Sequence, residues 1–414
     1  DVYKRQPQHR PERLETGRRE REAVLTGGLS DAQRREVLGR MGANPTAVDE
    51  LITSSAGDRW WPNGPIELAS LPLADDPLIE AWAVYAADAG RTTAFEALRD
   101  RIVQLSFPIR SGISAEEDYR AATLKGLRPN AASPLELEDP EGLTLTLHPS
   151  LAGTIPILAV RRRPDFETMV RALTARNEPV PIPRAMGACL INGLNNWDRI
   201  ATLKKNWETT DPASRECATW GEEFRRIIPR TALYKDRLIV LSHGPYSGVE
   251  GEEIGIDPDE WERLSFLIRL EHECVHALSL KLFGAMRHDL LEELIADWVA
   301  LVKVFGGYRA DLALRFLGLE SFPSFRAGGR LEVYRGTPPV SDGAFEVMQR
   351  LAADAVKTLE TVSKDPSFDP GDDDNLGRLT VALLTMPIEA LVTDDGVERT
   401  RERHDNLETV LRQA

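Results

Sequence analysis

The chain has 414 residues, 42% of them hydrophobic and 28% charged, a composition that excludes a wholly disordered protein. Its formal net charge of −15 disfavours nucleic-acid phosphates and anionic membrane surfaces as partners, and we expect neither. No apolar run approaches the roughly 20 residues that span a bilayer, and the length favours about two or three domains.

The three cysteines, Cys189, Cys217 and Cys274, are widely spaced and form no CxxC pair. An odd number with this spacing indicates free thiols rather than a disulfide framework, and therefore a reducing compartment. We expect a cytoplasmic protein. The chain begins with Asp1 rather than Met, and its first residues, DVYKRQ, look foreign to the natural protein. A signal peptide could therefore be missing from the given sequence. The sequence does not indicate the oligomeric state.

The predicted elements begin with a solvated, charge-rich arm over residues 1–30, followed by a helical region over 31–130. Ser114 and Glu117, three residues apart, form a capping-box pattern at the start of one of these helices. Residues 45–77 are rich in loop-forming residues. Helices are expected at 31–41, 78–88, 92–105 and 115–125.

A mixed α/β region is expected over residues 131–235, after a proline-rich linker at 126–140. Short apolar or alternating runs and helical periodicity define its elements. Strands are predicted at 143–148 and 154–160, and helices at 165–176 and 211–228. The Pro- and Gly-rich tract 179–197 is compatible with a strand pair or with a substrate loop, and the sequence does not decide between them.

The C-terminal part is expected to hold a core domain over residues 236–320 and a helical region over 321–414. RLIVLS at 237–242 predicts the clearest strand. Helices are predicted at 258–283, 290–305, 309–317, 343–362, 377–391 and 394–411. The fold class is therefore α+β and mainly helical.

The motif HECVH, which begins at His272, carries the strongest chemical signal. Asp257 is a candidate N-cap, Pro258 fits the first helical position, and Gly284 fits the end of the helix. Residues four apart lie on one face of a helix, so His272 and His276 point to a common position. Two imidazoles facing one point favour a metal ion, and a catalytic zinc site needs a third protein ligand.

The next predicted helix, DLLEELIAD, supplies that third ligand. Asp289 is its candidate N-cap and Glu292, three residues later, fits the capping box, which leaves Glu293 as the metal ligand. The turn between the helices is short, so they should pack antiparallel. Asp297 lies one turn after Glu293 and is expected near His272, whose second ring nitrogen needs an acceptor.

HECVH followed by EELIAD resembles the gluzincin branch of zinc metallopeptidases, whose motif is HExxH…ExxxD. The resemblance covers about residues 270–300 and implies a zincin-like core. Because such folds place an edge strand over the active helix, it also suggests that the strand at 237–242 is an edge strand with which an extended peptide can pair. An ordinary strand of the sheet is the open alternative. The resemblance also implies a role for each residue of the motif. Zn²⁺ would be bound by His272, His276 and Glu293, with Glu273 as the general base and Asp297 as the support of the first histidine.

Two features depart from that pattern. Glu292 stands where the thermolysin-like members often have an asparagine. The 16 residues between His276 and Glu293 make a short gap, closer to that of the compact members.

We therefore expect a metallopeptidase that acts on a peptide or protein substrate, with Glu273 assisting the attack of zinc-activated water on the peptide bond. The donor that stabilises the oxyanion is not evident from the sequence, and His288, in the turn beside the site, is the first candidate. The other candidates are Arg287, Tyr308, His243 and Tyr246. Two alternatives stay open: a non-catalytic protein with a structural zinc site, and a zinc hydrolase of a non-peptide amide.

Overall fold

The structure of the protein is a computed structural model. It describes residues 29–55, 66, 68, 70–130, 134–287 and 289–412. The fold is α+β, mainly helical with a single four-stranded sheet in the described part of the chain. Within those ranges no helix is both long and apolar enough to cross a bilayer. The arm predicted for residues 1–30 lies almost entirely outside the described residues.

The chain divides into two compact units, and one of them contains the sheet. This sheet unit comprises Ser70–Lys281 and Ala296–Gly307. Its strands are β1 (Thr144–Ser150), β2 (Gly153–Val160), β3 (Ala188–Asn195) and β4 (Lys235–Ser242). They are ordered β1-β2-β4-β3, with β2 and β4 parallel and the other two pairs antiparallel.

Strand β4 is an inner strand, which corrects the suggestion that RLIVLS lies at the sheet edge. Leu238–Leu241 are fully buried, as expected for a strand paired on both sides and covered on both faces. The edge position next to it belongs to β3, so the tract 179–197 contains one strand rather than a strand pair. A bulge between Asn192 and Leu194 interrupts the β3–β4 register.

The described residues form sixteen α-helices. They are α1 (Asp31–Arg40), α2 (Pro45–Ser55), α3 (Leu78–Ala89), α4 (Ala94–Arg99), α5 (Glu117–Lys125), α6 (Arg163–Thr174), α7 (Trp197–Thr209), α8 (Trp220–Ile227), α9 (Pro258–Phe283), α10 (Leu290–Phe305), α11 (Ala310–Leu317), α12 (Asp342–Ser363), α13 (Asp373–Leu384), α14 (Ile388–Leu391), α15 (Gly396–Asp405) and α16 (Leu407–Arg412). In the sheet unit, α3 and α6 pack on the sheet and share its apolar core through Trp82, Phe166 and Val240.

The second unit is helical and comprises the described parts of Asp1–Ala69, Leu282–Ile295 and Tyr308–Ala414. The single helix predicted at 377–391 is wrong, because Pro387 is extended and separates α13 from α14. The expectation of loop over 45–77 is also incomplete, since α2 begins at Pro45. Proline fits a first helical position, and here it begins a helix rather than a loop.

The predicted helix at 115–125 begins later and without the predicted cap. Ser114 lies in a short 3-10 turn, and α5 starts at Glu117. The Glu178 carboxylate accepts hydrogen bonds from the backbone N–H groups of Gly112 and Ser114 and so holds the turn in place. A contact distant in sequence replaces the local capping box that the sequence predicts.

A buried ion pair at the start of β4 joins this strand to α3 and α7. Asp236 is 1% exposed and accepts hydrogen bonds from Trp82 Nε1 at 2.8 Å, Asn196 Nδ2 at 2.7 Å and the Arg199 guanidinium. Burial raises the pKa of Asp236, and the positive charge of Arg199 opposes that rise. Arg199 therefore compensates a charge that water does not reach.

We expect Arg199→Ala to lower the free energy of unfolding by about 3–5 kcal/mol, because it leaves the Asp236 carboxylate buried without its cation. Urea denaturation followed by circular dichroism measures the change. Arg162→Ala is the control: Arg162 pairs with Glu138 where both side chains are more than half exposed, so its loss should cost less than about 1 kcal/mol. Equal losses in the two variants would contradict this account.

Candidate metal centre

Helix α9 has the predicted bounds, and local interactions explain both ends. The Asp257 carboxylate accepts hydrogen bonds from the backbone N–H groups of Asp259 and Glu260, which satisfies the first turn. Gly284 has φ of 74°, a left-handed conformation that stops a helix and favours glycine. The two histidines of HECVH therefore lie one turn apart on a continuous helix.

The imidazoles of His272 and His276 face each other in a buried position, with exposed fractions of 7% and 8%. Their Nε2 atoms are 3.1 Å apart. Two nitrogens bound to one tetrahedral zinc ion at about 2.0 Å lie roughly 3.3 Å apart. The observed separation is close to that value, so this pair of donors fits a shared ion.

The other ring nitrogen of His272, Nδ1, forms a hydrogen bond with a buried carboxylate. Its Nδ1 lies 2.9 Å from Asp297 Oδ1, and the Tyr246 hydroxyl donates to the same carboxylate oxygen at 2.7 Å. Asp297 is 1% exposed. A carboxylate at Nδ1 keeps the proton on that nitrogen, which leaves the Nε2 lone pair directed at His276.

Arg269 stabilises the loop that contains Tyr246 through hydrogen bonds to its backbone. Its guanidinium donates to the carbonyl oxygens of Ser242 at 2.9 Å and of Gly244 and Pro245 at 3.3 Å. Burial lowers the pKa of Arg269. The three carbonyls satisfy a cation that is 7% exposed, so Arg269 positions the tyrosine without reaching the histidines itself.

Glu293 lies in the first turn of α10, which also has its predicted bounds. Asp289 accepts a hydrogen bond from the backbone N–H of Glu292 at 3.0 Å, as expected of an N-cap. Glu293 precedes Asp297 by one helical turn and so shares its face. Glu293 Oε2 accepts a hydrogen bond from the Tyr334 hydroxyl at 2.9 Å.

Among the described residues, His272, His276 and Glu293 are a group of side chains that could hold a metal ion. Glu292, by contrast, is fully buried. It precedes Glu293 by one residue and therefore points about 100° away from the face that Glu293 shares with Asp297. The helix periodicity favours Glu293 over Glu292, and its role as the third ligand stays a prediction.

Glu273 follows His272 on α9 and is half-buried. Burial raises the pKa of Cys189, on β3, to about 12, and the negative charge of Glu273 adds to that rise. Cys189 and Glu273 are therefore close enough for their charges to interact. The carboxylate also interacts with the charge of Arg269.

The structure changes the set of candidate oxyanion donors. His288 lies outside the described residues. Arg287 donates to Asp289 and to backbone carbonyls of Leu384 and Met386. The remaining candidates are placed as follows: Tyr246 is bonded to Asp297, His243 is paired with Glu262 at 3.2 Å, and Tyr308 is half-buried just after α10.

Sequence reasoning missed the contributions of Tyr334 and Arg269. Tyr334 is 41 positions beyond Glu293, and no spacing rule connects them. Arg269 precedes His272 by three residues on the same helix, so the shared face could have revealed it. The first contact depends on tertiary structure, whereas the second is a local pattern.

Comparison with curated proteins and with solved structures finds no match for this chain. The sequence profile of a protein family matches residues 36–395, which is most of the chain and includes every residue of the centre described above. The chain therefore belongs to that family, a family of unknown function (DUF7005).

Proposed function

We propose that this protein is a zinc-dependent metallopeptidase whose ion is held by His272, His276 and Glu293. The observation that best supports this proposal is the buried pair of Nε2 atoms 3.1 Å apart, with Asp297 behind one ring. Two imidazoles and one carboxylate suit zinc, and three protein ligands leave a position open, as in catalytic zinc sites.

The chemistry assigns a role to each group around this centre. Bound zinc would polarise a carbonyl group and lower the pKa of a water molecule to about 7. Glu273 accepts the proton from the attacking water and passes it to the leaving amine. Tyr334 holds one oxygen of Glu293, which restrains the rotation of that carboxylate. Asp297 and Tyr246 fix the tautomer of His272.

The position of β3 supports an extended peptide as the substrate. As an edge strand, β3 offers backbone groups with which a peptide can pair, and its residue Cys189 interacts with Glu273. A substrate aligned along β3 would therefore have its backbone close to the proposed general base. A small non-peptide amide would gain nothing from this edge, so a peptide is the better-supported substrate.

We also propose a cytoplasmic location, because Cys189, Cys217 and Cys274 are all free. Thiol titration of the freshly purified, denatured protein should find three reactive thiols per chain. A disulfide-linked pair in protein isolated without reductant would contradict this location.

Chelation tests the proposed activity. Protein treated with 1,10-phenanthroline should lose all cleavage of a peptide library, and stoichiometric Zn²⁺ should restore it, since the proposed chemistry requires the ion. Mass spectrometry of the library products measures both steps. Zinc-loaded protein that cleaves no peptide would favour a structural zinc site. Cleavage restricted to non-peptide amides would favour a zinc hydrolase of such amides.

The support behind His272 is testable separately. We expect Asp297→Asn to weaken zinc affinity by about 10–100-fold, because the ring loses its charged acceptor. Competition with a chromophoric chelator measures the affinity. Glu262→Gln is the matched control, a carboxylate-to-amide change beside His243, and should leave zinc affinity unchanged. Equal affinities in the wild type and Asp297→Asn would contradict the role of Asp297.

A further inference from the structure

A second group of metal-binding side chains lies elsewhere on α9, within the sheet unit. Glu271 and Cys274 are one turn apart on this helix, and His148 approaches them from β1. A ring nitrogen, a carboxylate oxygen and the Cys274 sulfur all lie within 4.8 Å of one another. No role in the proposed hydrolysis accounts for this cluster.

The two groups occupy different faces of the helix. At 100° per residue, the mean direction of Glu271 and Cys274 is roughly 150° away from that of His272 and His276. An ion held by the first pair would therefore lie across the helix from an ion held by the second. The two positions cannot share a ligand.

The interactions of Glu271 leave it suited to bind an ion. His148 Nε2 lies 2.9 Å from its Oε1, while Lys303 Nζ lies 3.5 Å from its Oε2. Donors around a tetrahedral zinc ion lie about 3.3–3.8 Å apart for nitrogen, oxygen and sulfur ligands. Small side-chain rotations would thus lengthen the His148–Glu271 distance and bring the Cys274 sulfur closer to both, so that all three separations match those around a zinc ion. Lys303 would remain paired with the second oxygen of Glu271.

Burial and charge distinguish this cluster from a chance grouping of side chains on the surface. Cys274 is 3% exposed, and the side chains of Glu271 and His148 are 13% and 23% exposed. With the thiol proton released to solvent, a Zn²⁺ ion beside one carboxylate, one thiolate and the Lys303 ammonium gives a net charge of about +1. The carboxylate and the thiolate together neutralise the two positive charges of the ion, and the remaining charge is that of Lys303.

We propose that His148, Glu271 and Cys274 form a second zinc site, which ties β1 to α9. One imidazole, one carboxylate and one thiolate suit zinc rather than Mg²⁺ or Ca²⁺, which prefer oxygen ligands. Three protein ligands leave the fourth position for water. This site is independent of the proposed hydrolytic centre, because it uses none of that centre's ligands.

Cobalt substitution tests the site, because only this centre contains a sulfur ligand. Metal-free full-length protein is titrated with Co²⁺ and followed for the near-ultraviolet band of thiolate-to-cobalt charge transfer. The wild type and the control variant Cys217→Ser should show the band, and Cys274→Ser should lack it. Zinc analysis should find one ion fewer in Cys274→Ser than in the wild type.

His276→Ala separates this proposal from the hydrolytic one. It removes a ligand of the first centre only, so the thiolate band should persist in this variant. This expectation does not depend on whether the first centre binds zinc. The absence of the band from wild-type protein would overturn the second site without relying on any variant. A band that survives in folded Cys274→Ser, or in folded His148→Gln at unchanged intensity, would overturn it equally.

Discussion

Glu273→Gln is expected to lower the rate of peptide hydrolysis by about 10²–10⁴-fold, the usual contribution of a general base. The amide keeps the size of the side chain but cannot accept the proton of the attacking water. Glu273 is not among the three ligand donors, so zinc content should stay equal to that of the wild type. Steady-state kinetics and elemental analysis on the same preparation measure the two quantities.

Glu262→Gln is the matched control for this prediction, because it makes the same change on the same helix. Glu262 is paired with His243, ten residues and about 15 Å along α9 from His272. Its loss should leave hydrolysis unchanged. Full activity in Glu273→Gln would remove Glu273 from the mechanism, and loss of zinc in that variant would show that its effect is structural.

His276→Ala should have the second large effect, the loss of the ion from the hydrolytic centre. Removal of one of three ligands should weaken zinc affinity by more than about 100-fold, since even residues that only support ligands contribute 10–100-fold. The purified variant should contain one zinc ion fewer than the wild type and should show no hydrolysis. Elemental analysis and a chelator competition assay measure this change.

His243→Ala provides the control for the loss of an imidazole in the same unit. His243 is paired with Glu262 and stacked on Phe266, with ring centroids 5.0 Å apart, and contributes no proposed ligand. Its zinc content should match that of the wild type. Unchanged zinc content in His276→Ala would refute the proposed ligand set.

The parts of the site that the sequence predicted are those governed by local geometry. The helix period fixes how His272 and His276 face each other, and it places Glu293 and Asp297 on one face. Asp257 and Gly284 mark the ends of α9 through capping interactions that involve only neighbouring residues. Such features follow from spacing alone, so the bounds of α9 and α10 were predicted correctly.

The features that the sequence did not predict depend on contacts between distant segments. Tyr334 reaches Glu293 from another part of the chain, and the Glu178 carboxylate replaces a local cap at Ser114. The inner position of β4 follows from strand order, which a single strand pattern does not encode. An apolar run is compatible with several positions in a sheet, and only the pairing partners distinguish them.

The two proposed metal sites differ in what they would contribute to the function of the protein. Loss of the first site would remove the proposed hydrolysis, because Glu273 would have no activated water to deprotonate. Loss of the second would remove only a tie between β1 and α9. A protein with the thiolate-containing site alone would be a zinc protein without this catalytic machinery.

The most direct test of the central claim is a crystal structure of zinc-loaded protein with anomalous diffraction measured above and below the zinc absorption edge. We expect an anomalous peak about 2.0–2.2 Å from Nε2 of His272, Nε2 of His276 and a carboxylate oxygen of Glu293. The two ring nitrogens should stay close to their separation of 3.1 Å. Zinc-loaded crystals with no peak between these rings would contradict the proposed centre.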